Sequence, residues 1–434
     1  MAALQSADIE LIDRDAALPG LRCVLDPRRL VEALGTAAFP VEPGDIRLDY
    51  VRYRPRRDCV GRFLIRVDRD QHFAYVKAFG SESREKFDKA ANRPGVGGPH
   101  GAGRLVAPDI GLLFSWFPND RKLRSLERIG QQRTRERLIE RVFKGDDGWL
   151  DSEITVINYK PEKRLVCRLS QSGGQSATVK FYTAAEFERT GHLRRNRAFP
   201  PDLPVPRYIG GSKKHRAHAF EWLPGRSLRE VSLDPDPDLT LYRRAGRLLA
   251  EFQSCEPGAL AQPTPRSMAG DVRSGAVHLA ALLPEIEPDA AECALALGRF
   301  VERARLGGCP VHADFYDKQV IAGPSRLALI DLDQARLGSA AEDLGCFMAH
   351  LELLRTYNPA LSAARIGKLG QSLLDGFVEA GGRGPEHEVA GWTAFALFRL
   401  AHQPFRDRLP DWPNRVRAVV ARARELIKVT ESNG

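Results

Sequence analysis

One stretch of the chain occurs twice, and that repetition constrains the fold more than any other property. Residues 51–63 read VRYRPRRDCVGRF and residues 157–169 read INYKPEKRLVCRL. Tyr53 matches Tyr159, Pro55 matches Pro161 and Arg62 matches Arg168, each pair 106 positions apart. The stretches YVKAF (75–79) and TVKFY (178–182) then align at an offset of 103, placing Lys77 on Lys180. Glu85 and Glu188 each follow their lysine by eight residues. The offset returns to 106 where FSWFPND (114–120) meets FEWLPG (220–225). An offset that drifts at one hairpin and then recovers is the mark of a duplicated unit, with the hairpin loop three residues shorter in the second copy.

Each copy reads as strand, turn, strand, hairpin, strand, helix and one or two further strands. The strands are short and rich in β-branched and aromatic residues, and Ser172-Gly173-Gly174 supplies a hairpin turn. A charged helical stretch, about 121–143, joins the copies. Beyond residue 225 the pattern turns helical. Asp238 is a fitting N-cap for 239–253, where Tyr242, Ala245, Leu248, Leu249 and Phe252 form one apolar stripe. Further helices are expected at 343–356, 361–379, 387–401 and 414–428. The reading is an α+β chain in three parts: a first copy over 1–125, a second copy with its linker helix over 126–224, and a helical part over 225–434.

Composition excludes several classes. No run of apolar residues is long enough to cross a bilayer, so no membrane partner is expected. The N-terminal residues lack the basic start and apolar core of a secretory leader, and a cytoplasmic protein is the expectation. Seven scattered cysteines, none in a Cys-x-x-Cys spacing, argue for reduced thiols rather than a disulfide framework or zinc site. The net charge of +9 is spread along the chain with no basic tail, and no nucleic-acid partner is expected.

The chemistry is carried by His312-x-Asp314-x4-Gln319, then the apolar run 327–330, then Asp331-Leu332-Asp333. Phosphoryl transfer from ATP needs a carboxylate to take the acceptor's proton and an amide and a carboxylate to hold Mg²⁺. It also needs a strand lysine on the phosphates and an acid to hold that lysine. Asp314 and His312 are the catalytic candidates, and Gln319, Asp331 and Asp333 the metal candidates. A solvent-exposed loop and hairpin is the competing interpretation.

These residues resemble the signature of the aminoglycoside phosphotransferase-like small-molecule kinases, His-Gly-Asp-x4-Asn followed by Ile-Asp. The chain departs from it at Ala313 and Gln319. The glutamine is closer to the maltokinase-like subset. The segment 338–345, with Asp343-Leu344-Gly345, resembles the family's Asp-Leu-small segment, whose aspartate braces the catalytic loop. The resemblance implies a protein-kinase-like bilobal fold: an antiparallel-sheet N-lobe and a helical C-lobe, here preceded by a degenerate N-lobe copy. It implies ATP and Mg²⁺ as cofactors and a small-molecule substrate, on a monomer or homodimer. Lys180 becomes the phosphate lysine and Glu188 its helix partner, with Glu186 as runner-up. Glu221, Trp222 and Leu223 become the hinge that pairs with adenine. Lys163 and Arg164, in a proline-stiffened turn where kinases carry glycines, either hold phosphates or form an ordinary surface turn.

The first copy keeps Lys77 and Glu85, but no His-x-Asp loop follows it. It is expected to be a cap, or less readily a regulatory ligand site around Lys77. The acceptor is expected to be a sugar or amino sugar. An antibiotic kinase and a non-catalytic pseudokinase are the alternatives. A protein kinase is excluded, because the eleven residues between Asp331 and Asp343 leave no room for an activation segment. The acidic stretch 284–292 would suit an aminated substrate or form a solvated loop. Arg336, Arg399, Arg406 and Arg408 would suit a neutral sugar or an anion.

Overall fold

The computed structural model describes residues 4–194, 200, 202–256, 260–304, 306–384 and 386–432. Two five-stranded antiparallel sheets carry the two copies. The first comprises β1 (Ile46–Arg54), β2 (Asp58–Val67), β3 (Asp70–Phe79), β4 (Arg104–Ala107) and β5 (Leu112–Trp116), in the order β1-β2-β3-β5-β4. The second comprises β6 (Glu153–Lys160), β7 (Arg164–Ser170), β8 (Ser176–Tyr182), β9 (Tyr208–Ser212) and β10 (Ala217–Glu221), in the matching order β6-β7-β8-β10-β9. A short helix follows the third strand of each, Arg84–Ala91 and Ala184–Arg189.

The same polar device locks both β-turns. Tyr53 donates its hydroxyl to Asp15 at 2.7 Å, and the Arg56 N–H donates to the same oxygen at 2.9 Å. Tyr159 donates to Asp120 at 2.9 Å, and the Glu162 N–H donates to that oxygen at 2.8 Å. Arg56 and Glu162, 106 positions apart, both adopt the left-handed conformation, at φ 62° and 56°. One buried carboxylate thus satisfies a tyrosine and a turn amide that would otherwise be orphaned.

The hairpin differs from expectation. The β2–β3 loop has two residues, between Val67 and its partner Asp70, whereas the β7–β8 loop has five, between Ser170 and Ser176. The second copy is shorter because its strands have seven residues where β2 and β3 have ten. The loop itself is longer, and Gly174 at φ 86° closes it.

The helical part contains the expected helices as Leu239–Ser254, Ala340–Tyr357, Ala363–Glu379, Glu386–Leu400 and Trp412–Ser432, with two more at Pro265–Leu282 and Glu287–Arg303. The second sheet stands before it as an N-lobe before a C-lobe, the protein-kinase-like bilobal arrangement. The linker helix, Gln132–Phe143, packs on the second sheet through Leu138, Ile139 and Val142. The apolar core of the first sheet is continuous with that of the helical part, while Phe73 and Phe117 pack against the core of the second sheet. Asp8 is fully buried and accepts from Arg408 at 2.7 and 3.0 Å and from the Trp412 indole at 3.2 Å. No described helix is long and apolar enough to cross a membrane.

Candidate active site

The catalytic loop runs from the strand Cys309–Val311 to the strand Val320–Ala322. Asp343, fully buried, holds its entry: its carboxylate accepts from the His312 N–H at 2.8 Å and the Ala313 N–H at 2.9 Å. Ala313 is left-handed, φ 61°, at the position where the resembled family has glycine. The two N–H bonds to Asp343 offset a strain of about 1–2 kcal/mol. Gly345 has no room for a side chain, since a Cβ there would lie 2.5 Å from that of Trp392.

His312 is not placed to touch a substrate. It has no solvent exposure, and its Nε2 is 2.9 Å from the Ile330 carbonyl. It ties the loop to the strand that delivers Asp331. Asp314 faces the open space beyond. Burial first, and the neighbouring Asp331 second, push its pKa above the ordinary carboxylate value. Its carboxylate, the Cys346 thiol and the His350 imidazole bring donor atoms within 4.8 Å of one another. His350 stacks on Tyr316 at 4.0 Å, its Nε2 lacks a partner among the described residues, and burial pulls its pKa down to about 3.

Lys180, on β8, lies 2.6 Å from Asp331 Oδ1 and 2.7 Å from Asp333 Oδ1. Arg164 donates to the same pair, at 3.1 and 3.2 Å to Asp331 and 2.8 Å to Asp333. Burial opposes the lysine's charge, but the two carboxylates outweigh it and its pKa rises. Asp331, against the same burial, is held below the usual carboxylate range by Lys180 and Arg164.

The structure places Glu188, the expected partner, away from the contacts of Lys180. Glu188 is solvent-exposed on a helix of under two turns, and Lys180 is held by Asp333 and Asp331 instead. Glu186 is half-buried, bonded to Thr183 and 3.8 Å from Arg189. Asp333 is therefore an ion-pair partner of Lys180 and Arg164.

Two cavities meet at this constellation. One, about 780 Å³, lies between the second sheet and the helical part. It is lined by Lys180, Gln319, Asp331, Asp333 and the segment Glu221, Trp222 and Leu223. The Glu221 N–H already bonds the Arg207 carbonyl at 2.9 Å and that of Trp222 the Ser176 carbonyl at 3.3 Å. Of the three, only the Leu223 N–H has no partner among the described residues. The second cavity, about 900 Å³, opens on the other side of Asp314 and takes one wall from β1, at Asp49–Tyr53. Both are bordered by Asn158, Lys160, Arg164, Asp314, Tyr316, Lys318, Asp331 and Asp333. Lys163 borders only the larger one, so its side chain lies on the far side of the turn from the hinge.

The first copy's lysine has been captured. Lys77 is 2% exposed and donates to Glu162 at 2.7 Å, with Asp58 at 3.4 Å. Glu162 belongs to the β6–β7 turn of the second copy, and Arg121 also grips it, at 2.6 Å. The place where a ligand of Lys77 would sit is thus filled by the chain itself. The stretch 284–292 lies elsewhere, with Glu285 on Arg417 and Asp289 and Glu292 on Arg424. Arg336 pairs with Glu342 and Arg408 with Asp8, whereas the Arg399 guanidinium has no ion pair among the described residues and lies over the Phe395 ring, at 5.6 Å.

The sequence reading passed over Asp120, Lys160, Lys318 and His350. Lys160 lies inside the repeated turn and could have been singled out by its neighbours Lys163 and Arg164. His350 sits on a helix whose periodicity reads only as core.

A family model described as the phosphotransferase enzyme family matches residues 146–398, which takes in the second sheet and the catalytic loop. No curated protein is similar to the chain at the level of sequence. Among solved structures, it is similar to a thermostable mutant of the aminoglycoside phosphotransferase APH(4)-Ia, at 15% identity over 64% of this chain and 94% of that one, TM-score 0.48. It is also similar to a choline/ethanolamine kinase family protein from Mesorhizobium loti, at 12% identity over 67% and 93%, TM-score 0.44. A third is the macrolide 2'-phosphotransferase MphH from Brachybacterium faecium, at 16% identity over 62% and 91%, TM-score 0.41.

Proposed function

The chain belongs to the phosphotransferase enzyme family, and from that premise we propose that it moves the γ-phosphate of ATP to a hydroxyl group of a small molecule. The observation that carries this reading is the meeting of two cavities at Asp314, one bordered by the hinge segment and the other not. The nucleotide occupies the hinge-side cavity, its adenine against the Leu223 N–H and its phosphates against Lys180. Lys160 and Lys318 stand at the junction, where charge develops on the transferring group. The acceptor occupies the larger cavity. Asp314 takes the hydroxyl proton, and its raised pKa suits a group that must bind a proton during the reaction.

The donor set fits Mg²⁺. Gln319, Asp331 and Asp333 offer hard oxygens lining one cleft, and the imidazole that also lines it, His192, is taken up by the Leu332 carbonyl at 3.0 Å. Asp331 and Gln319 would hold the ion, which would neutralise charge on the β- and γ-phosphate oxygens. The first sheet is a non-catalytic copy: it fastens the β6–β7 turn through Lys77 and Glu162 and walls the acceptor cavity.

Asp314→Ala tests the assignment. ATP turnover is expected to fall by about 10²–10⁴-fold, with AMP-PNP binding, followed by calorimetry, held within about twofold. Turnover near that of the unaltered protein would exclude Asp314 as the base.

A further inference from the structure

The charges around the two cavities are distributed unequally. The shared border carries three cations, Lys160, Arg164 and Lys318, and three carboxylates, Asp314, Asp331 and Asp333. It is balanced before any ligand arrives. The rest of the larger cavity has seven arginine and lysine side chains against three carboxylates. Each of those carboxylates already has an arginine: Asp49 has Arg62 at 2.8 Å, Asp407 has Arg406 at 2.8 Å and Glu186 has Arg189 at 3.8 Å. Lys163 and Arg399 have no carboxylate within 4.0 Å among the described residues. Arg229 is matched by Asp317, at 2.5 Å, and Arg52 shares Glu162 with three other cations.

A polyamine entering this space would meet no carboxylate free to pair with it except the catalytic Asp314, and several cations would repel it. A neutral sugar would displace water from Lys163 and Arg399, both solvent-exposed in the open cavity, and supply no charge in its place. An anion relieves both problems.

We propose that the acceptor is an alcohol that already carries an anionic group, a phosphate ester or a carboxylate. The negative group meets the cations of the larger cavity, Lys163 and Arg399 foremost, while a hydroxyl reaches Asp314. This rests on the phosphotransferase reading above and narrows its substrate class.

The test uses the full chain loaded with Mg²⁺ and AMP-PNP, so that the nucleotide cavity is filled. Inorganic phosphate, acetate, glucose and kanamycin are titrated separately by calorimetry. Phosphate or acetate is expected to bind saturably, and Arg399→Met and Lys163→Met are each expected to weaken it about tenfold. Binding of phosphate alone assigns a phosphate ester, and of acetate alone a carboxylate. ADP release is then compared among sugar phosphates, sugar acids, glucose and kanamycin, the first two expected to give the higher kcat/KM. Tighter binding or faster turnover of glucose or kanamycin overturns the proposal. So does the absence of saturable anion binding, or anion binding that neither variant changes. Failure of AMP-PNP itself to bind would instead count against the phosphotransferase reading, and the same titrations reveal it separately.

Discussion

Lys77 Nζ, in the first sheet, and Glu162 Oε2, in the β6–β7 turn of the second, lie 2.7 Å apart, and neither side chain is more than 2% exposed. Their contact joins the two copies at the turn that borders the catalytic cavities. Arg121, Arg52 and Lys122 complete the cationic ring around Glu162, and Lys77 and Arg121 hold its pKa far below the usual range in spite of burial. Breaking a buried pair by removing one partner leaves an uncompensated charge, at a cost of about 3–5 kcal/mol. Glu162→Gln is therefore expected to lower the unfolding free energy by about that amount in urea titrations. Lys77→Met combined with Glu162→Leu should cost less than the sum of the single changes. An unaltered unfolding midpoint in Glu162→Gln would show that the pair holds nothing together.

A second expectation separates the two candidate partners of Lys180. Asp333 lies 2.7 Å from the ammonium group, whereas Glu188 is exposed. A hydrogen bond to a charged group contributes about 1.5–3 kcal/mol, which corresponds to about 10–100-fold in rate. Asp333→Asn should lower kcat/KM for ATP by a factor in that range, and Glu188→Ala should stay within about twofold. Equal losses in both variants would restore Glu188 to the site.

The contrast shows what a sequence can and cannot convey here. The loop His312–Gln319 and the carboxylates after it were legible because their spacing is local and the chemistry fixes their order. The anchor of Lys180 was not, because Asp333 lies 153 residues further on and only the closure of the two lobes brings it near. Spacing alone suggested Glu188, but a helix of six residues can present either side. The likeness of Tyr53, Pro55 and their counterparts led to the expectation of two similar sheets, and the two sheets have matching strand orders. Nothing in the pattern shows that the first copy shares its core with the helical part, as Tyr53 beside Phe405, 6.3 Å between centroids, makes plain. Contacts of that kind depend on total shape rather than on period.

Lys160 supplies a pH dependence for activity. Burial, and then the neighbouring Arg164, Arg406 and Lys163, lower its pKa to about 8. Its ammonium group borders both cavities and is charged below that value and neutral above it. KM for ATP is expected to rise as pH passes from 7 to 9, and Lys160→Arg, which keeps its charge, should flatten the rise. A steep rise that persists in Lys160→Arg would assign the titration to another group.

Four histidines should make the protein sensitive to acid. Burial is the first cause lowering all four: His215 and His278 to about 4, and His350 and His402 to about 3. His278 and His402 are neighbours, 5.5 Å between ring centroids, and His278 opposes a proton on His402. Folded-state pKa values below the unfolded value of about 6.5 mean that the unfolded chain binds the extra protons. The stabilisation is therefore complete above pH 6.5 and declines as pH falls toward 4 and then 3. The limiting slope is about 1.4 kcal/mol per pH unit for each histidine. Buried carboxylates such as Glu162 add a loss of their own at lower pH, so the comparison must be made between variants. His350→Phe keeps an aromatic ring against Tyr316 and removes one titrating group. Urea unfolding at pH 7, 6, 5 and 4.5 should show a shallower decline for His350→Phe than for the unaltered protein. Parallel curves would mean that His350 is already protonated, or equally accessible to protons, in the folded state.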